Sequence, residues 1–101
     1  MHLTANISVP QKNFIAIDLH SDNAVICVRR KALNKAGELV GKNIWCGLVS
    51  IRDGLDSFVK ALLPYCQDFD HVAVVESTYN WYCLADVFEE RGWLLRIADP
   101  S

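Results

Sequence analysis

Apolar residues run unbroken through Phe14-Ile15-Ala16-Ile17 and resume at Leu19 after a single acid, Asp18. A continuous run this short predicts a strand buried on both faces of a sheet. Ser21-Asp22-Asn23 predicts a turn, and the β-branched stretch Ala24-Val25-Ile26-Cys27-Val28 predicts the partner strand of a hairpin. Asn34-Lys35-Ala36-Gly37-Glu38 predicts a second turn, with a third strand from Leu39 to Cys46 that Gly41 and Lys42 make less regular. After Ser50 the period changes. Leu55, Phe58, Val59, Leu62 and Leu63 recur at helical spacing, which predicts an amphipathic helix ended by Pro64, and Ser50 with Asp53 resembles a capping box at its start. His71 to Glu76 predicts a further strand ending on an acid. Ser77 or Thr78 is placed to cap a second helix, which carries Trp81, Leu84, Ala85 and Phe88 on one face and stops at Gly92. Trp93 to Ala98 predicts the last strand. Residues 1–12 show no sustained period and are expected to form a loose leader, leaving 13–101 as one α/β domain with a mixed sheet in the order β-β-β-α-β-α-β.

Composition narrows the classes. With 51% hydrophobic and 22% charged residues among 101, the chain has the make-up of an ordered domain, which excludes a disordered tail or a collagen-like repeat. A formal net charge of -2 gives no chain-wide attraction to a phosphate backbone, so any DNA contact must come from a local patch. The basic cluster Arg29-Arg30-Lys31, with Lys35 nearby, follows a strand and is expected to be a solvated hairpin end. Cys27, Cys46, Cys66 and Cys83 include no C-x-x-C pair and no histidine at zinc-finger spacing, so they are expected to be buried, reduced thiols. No run approaches the ~18 apolar residues of a membrane span, and no signal-like start is present; a cytoplasmic protein without membrane partners is expected.

Two acids stand apart. The strand carrying Asp18 and the strand ending at Glu76 are separated by a hairpin pair and one helical crossover, which most simply places them side by side and parallel. Both carboxylates then lie toward the carboxyl ends of neighbouring strands about 4.8 Å apart, where open α/β sheets bind ligands and where two carboxylates can bridge a divalent ion. Asp18 interrupts an apolar run, and burying it unpaired would be costly, so a partner or metal is expected there. Glu76 has a plainer alternative as a charge at a helix amino terminus. His20, two residues beyond Asp18, shares its strand face and could orient a water or simply mark the strand's exit.

The strings Ile17-Asp18-Leu19-His20-Ser21-Asp22-Asn23, Leu62-Leu63-Pro64-Tyr65 and Val75-Glu76-Ser77-Thr78-Tyr79-Asn80-Trp81-Tyr82, closing on Leu95-Arg96-Ile97-Ala98-Asp99-Pro100, resemble the amino-terminal domain of insertion-sequence 110 class DEDD transposases. The resemblance spans roughly residues 13 to 100. It implies a ribonuclease H-like (RuvC-like) fold, incomplete at its carboxyl end, with four acids that bind Mg²⁺ or Mn²⁺ for phosphodiester cleavage and strand transfer. Asp18 is similar to the first acid and Glu76 to the second, both as catalytic residues and as metal ligands. The third and fourth acids, and a second domain bearing a strand-transfer serine, lie beyond this chain, so the resemblance implies a truncated transposase that is inactive alone and binds metal weakly. DNA, an element-encoded guide RNA, and pairing with a full-length transposase or a second copy are the partners it implies. The longer, more polar segment from Ala32 to Gly47 and Cys83 in place of a common Trp depart from the family's pattern.

Two other readings stay open on the residues. An actin-like ATPase or sugar kinase shares the β-β-β-α-β-α core and opens with an acid on its first strand, but it wants glycines in the following turn, where His20-Ser21-Asp22-Asn23 has none. A non-catalytic interaction module would leave apolar sheet surface exposed for pairing.

Overall fold

A computed structural model describes residues 11–67, 69–76 and 81–98. Five strands and two helices follow in the order β1 (Gln11–Leu19), β2 (Asn23–Leu33), β3 (Leu39–Ser50), α1 (Asp56–Cys66), β4 (Asp70–Glu76), α2 (Tyr82–Arg91) and β5 (Leu95–Ala98). The described strands form one mixed sheet in the order β3-β2-β1-β4-β5. β1 is antiparallel to β2, β2 is antiparallel to β3, and β1-β4 and β4-β5 are parallel pairs. The helical crossovers α1 and α2 supply the length that parallel pairing requires.

Both helices pack on one face. The odd positions of β1, Asn13, Ile15, Ile17 and Leu19, are buried there with Ala24, Ile26 and Val28 of β2 and Ala73 and Val75 of β4. Phe58 and Leu62 from α1, Leu84 and Phe88 from α2, and Trp93 complete the core. Phe88 lies tilted against Phe58 at 6.5 Å and edge-on to Trp93 at 5.6 Å, arrangements that suit the aromatic quadrupole. Leu55 and Trp81, expected on the same stripes, pack half-buried at the margin of this core.

The other face differs from expectation. β1 was expected to be buried on both sides, but Ala16 and Asp18 are exposed, as are Cys46 and Leu48 on β3. The run looks continuous only because the outward positions are occupied by Phe14 and Ala16 rather than by polar residues.

Element ends also moved for local reasons. Polar Gln11-Lys12-Asn13 belongs to β1, and β2 continues through Arg29-Arg30-Lys31 to Leu33, so the basic cluster is in a strand and not at a hairpin end. The Asn34–Glu38 turn is held by its asparagine, whose Oδ1 accepts from the backbone N–H groups of Ala36 and Glu38, each at 2.9 Å. Ser50 and Asp53 do not cap α1. Gly54 between them and the helix has φ +121°, a conformation that L side chains rarely adopt, and the helix starts after it with Leu55 as an N-cap that makes no side-chain bond. Pro64 does not end the helix either. It falls in the last turn, where its missing N–H costs one bond, and the helix reaches Cys66. Gly92 does end α2, in the left-handed conformation at φ 70°, with Trp93 N–H donating back to Phe88. The expected Ser77 or Thr78 cap lies outside the described residues.

Candidate functional site

β1 and β4 run parallel with Ile17 opposite Val75, so each strand's next residue, Asp18 or Glu76, leaves the sheet at the same level and on the same, helix-free face. Both acids line one open cavity of about 380 Å³. Its remaining wall is Ala16, Ile17, Val25, Cys27, Val74 and Ala98. Ala98 pairs with Glu76 on β5 and Ala16 lies one outward position before Asp18, so small side chains flank the acids and leave the hollow open. Ala16, Val25 and Cys27 were not expected as wall residues. The signal was there in the alternation, because every second residue of β1 and β2 from Ala16 and Val25 faces outward.

Asp18 is not a buried carboxylate. It is 74% exposed and its nearest ionic partner is His20, 54% exposed, with Nε2 3.3 Å from Oδ2. The desolvation argument for a metal at Asp18 therefore does not hold, and its interest rests on position beside Glu76. Past His20 the chain reverses sharply: His20 N–H donates to the Asn23 carbonyl at 2.8 Å, and the Asp22 carbonyl accepts from Ile51 at 2.9 Å. That turn is fixed by backbone bonds and contains no glycine. Among the described residues no group of three or more His, Cys, Asp or Glu side chains is placed to hold a metal ion.

The basic cluster is divided between the faces. Arg29 faces outward and donates to Asn43 Oδ1 at 3.2 Å, while Lys31, also outward, lies 4.7 Å from the centre of the Phe14 ring. Arg30 turns to the helix side, where Nε donates to Asn13 Oδ1 at 2.8 Å and the guanidinium covers Phe69 at 4.1 Å. Asn13, a fully buried polar side chain missed by the sequence analysis, also donates through Nδ2 to the Tyr65 carbonyl at 2.9 Å and so closes the end of α1.

The cysteines divide as well. Cys66 is buried and Cys27 and Cys83 are half-buried, but Cys46 is exposed, so uniform burial of the thiols is corrected.

No protein-family model matches the chain, and no curated protein sequence matches it. Among solved structures it is similar to the Aquifex aeolicus member of the Ppx/GppA protein family, with a TM-score of 0.52 and 14% identity over 91% of this chain and 36% of that one. A second structure, of the Aquifex aeolicus PPX-GPPA enzyme, aligns with the same TM-score at 15% identity, again over 91% of this chain and 36% of that one. The chain thus spans little more than a third of the length of these proteins. At such identity the likeness shows the fold alone, a mixed α/β sheet.

The transposase resemblance is corrected by these findings. Both of these similar structures are Ppx/GppA proteins and not transposases, and no sequence match supports insertion-sequence 110 membership or roles in DNA binding, recombination or transposition. The physical reasons are plain. The resemblance rested on short strings, of which residues 77–80 lie outside the described residues, and the β-β-β-α-β-α order does not distinguish the two groups. The divided basic cluster also offers no continuous face to a phosphate backbone.

Proposed function

We propose that this chain handles the phosphate groups of a phosphoanhydride substrate, such as a nucleoside triphosphate, through a divalent cation held by Asp18 and Glu76, on a unit of the actin-like ATPase type. The observation that carries this reading is the pairing of the two acids in one cavity, at the carboxyl ends of adjacent parallel strands. The likeness to the Ppx/GppA structures supports it over other uses of a paired-acid cavity. At the level of strand order the sheet also fits the broader ribonuclease H-like class, in which the first strand carries an acid.

The donor set suits Mg²⁺ or Mn²⁺. Mg²⁺ demands oxygen ligands, keeps several waters, and is commonly bound through one or two carboxylates together with substrate phosphates. When bound, such an ion neutralises phosphate charge as a Lewis acid. Asp18 and Glu76 supply hard oxygens from two strands, and His20 Nε2 lies 3.3 Å from Asp18 Oδ2. The turn after Asp18, His20-Ser21-Asp22-Asn23, has no glycine and so is not built as a cradle of backbone amides for phosphate. Ala16 and Ala98 keep the approach clear.

Thermal denaturation with Mg²⁺ and pyrophosphate, together and singly, tests this. A ligand tenfold above its Kd stabilises by about 1.4 kcal/mol, a shift of roughly 5 to 10 °C for a domain of this size. The shift is expected only with both present and only when both acids are intact. An equal shift in Asp18→Asn, or with pyrophosphate alone, would overturn the reading.

A further inference from the structure

We propose that Cys27 and Cys46 form a reversible intrachain disulfide, a redox modification site on the helix-free face of the sheet beside the acid-lined cavity. The two residues are direct partners in the β2-β3 register. Residues opposite one another in an antiparallel pair have Cα atoms about 4.5 to 5.5 Å apart, inside the roughly 4.4 to 6.8 Å that a disulfide spans. Their side chains necessarily leave the sheet on the same face. The strand register shifts between Val28 and Arg29, one pair beyond Cys27 and Cys46, so the bond would fasten the hairpin next to the irregularity in its ladder.

Exposure gives the two sulfurs different parts. Cys46 is exposed and meets an oxidant first, whereas Cys27 is half-buried beside it. A side-chain hydrogen bond with Cys46, with smaller contributions from burial and charge proximity, raises the Cys27 thiol above its ordinary range. Cys27 is therefore a poor attacker on external reagents and suited to a second, intramolecular attack, in which proximity offsets a low thiolate fraction. The other two thiols do not compete. Cys66 is in the core, where burial pushes it up to about 12, and Cys83 packs against the core on the helix side of the sheet.

The oxidant is a low-molecular-weight disulfide. The Cys46 thiolate attacks one of its sulfurs, expelling a thiolate and leaving a mixed disulfide on Cys46. The Cys27 thiolate then attacks the Cys46 sulfur and expels the second small thiolate. The two protein thiols lose two electrons, the small disulfide gains them, and the two protons pass to the released thiolates. Cys27 also lines the cavity of Asp18 and Glu76, so closing the bond alters one of that cavity's walls. This inference stands on the hairpin geometry and not on the metal reading.

The test is exposure of the full native chain to oxidised glutathione at mildly alkaline pH, followed by acid quenching, alkylation, intact mass and peptide mapping. The expected product has lost two hydrogens, carries a single link between Cys27 and Cys46, and returns to the starting mass with dithiothreitol. Cys27→Ser should trap glutathione on Cys46 with no link, and Cys46→Ser should slow modification of Cys27 about tenfold or more relative to Cys46 in the first variant. Separate glutathione adducts on Cys27 and Cys46 in the wild-type chain, a link to Cys66 or Cys83, or no reaction until the chain is denatured would each overturn the assignment.

Discussion

Asn13→Ala removes a side chain that joins β1, β2 and α1. Asn13 is fully buried, its Nδ2 donates to the Tyr65 carbonyl at 2.9 Å, and its Oδ1 accepts from Arg30 Nε at 2.8 Å. The Tyr65 carbonyl is among the last four of α1, which have no partner within the helix. Truncation strands that acceptor, at about 1 to 3 kcal/mol for a buried unsatisfied group. Arg30 is half-buried and its guanidinium can turn to water, so its loss adds less, on the order of 1 kcal/mol. A total of about 2 to 4 kcal/mol is a large share of the roughly 5 to 15 kcal/mol available to a domain. In urea, with a slope of about 1 to 3 kcal/mol per molar, the midpoint should fall by roughly 0.7 to 4 M at unchanged slope. Asn13→Asp should not restore stability, because it keeps the acceptor for Arg30 but sets a second acceptor against the Tyr65 carbonyl. A midpoint for Asn13→Ala equivalent to less than about 0.5 kcal/mol of change would refute the assignment of this residue as the helix-end clamp.

Phe58→Ala and Phe88→Ala, each emptying a fully buried ring site, should cost about 3 to 5 kcal/mol by equilibrium unfolding; an unchanged melting temperature for either would place the core elsewhere. Asp18→Asn should leave stability within about 0.5 kcal/mol, since an exposed contact with His20 contributes little, and a large loss would show a structural role for the carboxylate. The Cys66 thiol has its folded value raised by burial from 9.0 to about 12, so its contribution is fully present below pH 9.0 and is lost as pH rises toward about 12. The fall in urea midpoint across that window should be shallower in Cys66→Ala, and parallel pH profiles would contradict the burial of this thiol.

Much of the fold could be read from periodicity. The 3.6-residue stripe of Phe58 and Leu62 and the apolar run from Val72 to Val75 each led directly to the right element, and Gly92 to its stop. What escaped were features that depend on partners distant in sequence. Gln11-Lys12-Asn13 has no strand pattern of its own and becomes strand because β2 offers ladder partners to all three and β4 to Lys12 and Asn13. Arg29 to Lys31 looked like a hairpin end because three successive charges are unusual in a strand, until Phe14 and Phe69 are seen lying under the cations of Lys31 and Arg30. The pairing of Asp18 with Glu76 across parallel strands followed from connectivity, but the exposure of Asp18 did not, since an alanine at position 16 hides the alternation that marks an open face. Local strings around Glu76 suggested a family that the fold comparison does not support, because a short motif carries no information on the strands and helices around it.

Direct titration of Mn²⁺ by electron paramagnetic resonance, in the presence of pyrophosphate, tests the central proposal most closely. Free, pyrophosphate-bound and protein-bound Mn²⁺ give distinguishable signals, and the wild-type chain is compared with Asp18→Asn and Glu76→Gln. The expected result is weak Mn²⁺ binding without pyrophosphate, a ternary complex with it, and a loss of about tenfold or more in affinity, about 1.4 kcal/mol, on neutralising either acid. Equal ternary binding by the wild-type chain and both variants would contradict a cation site at Asp18 and Glu76.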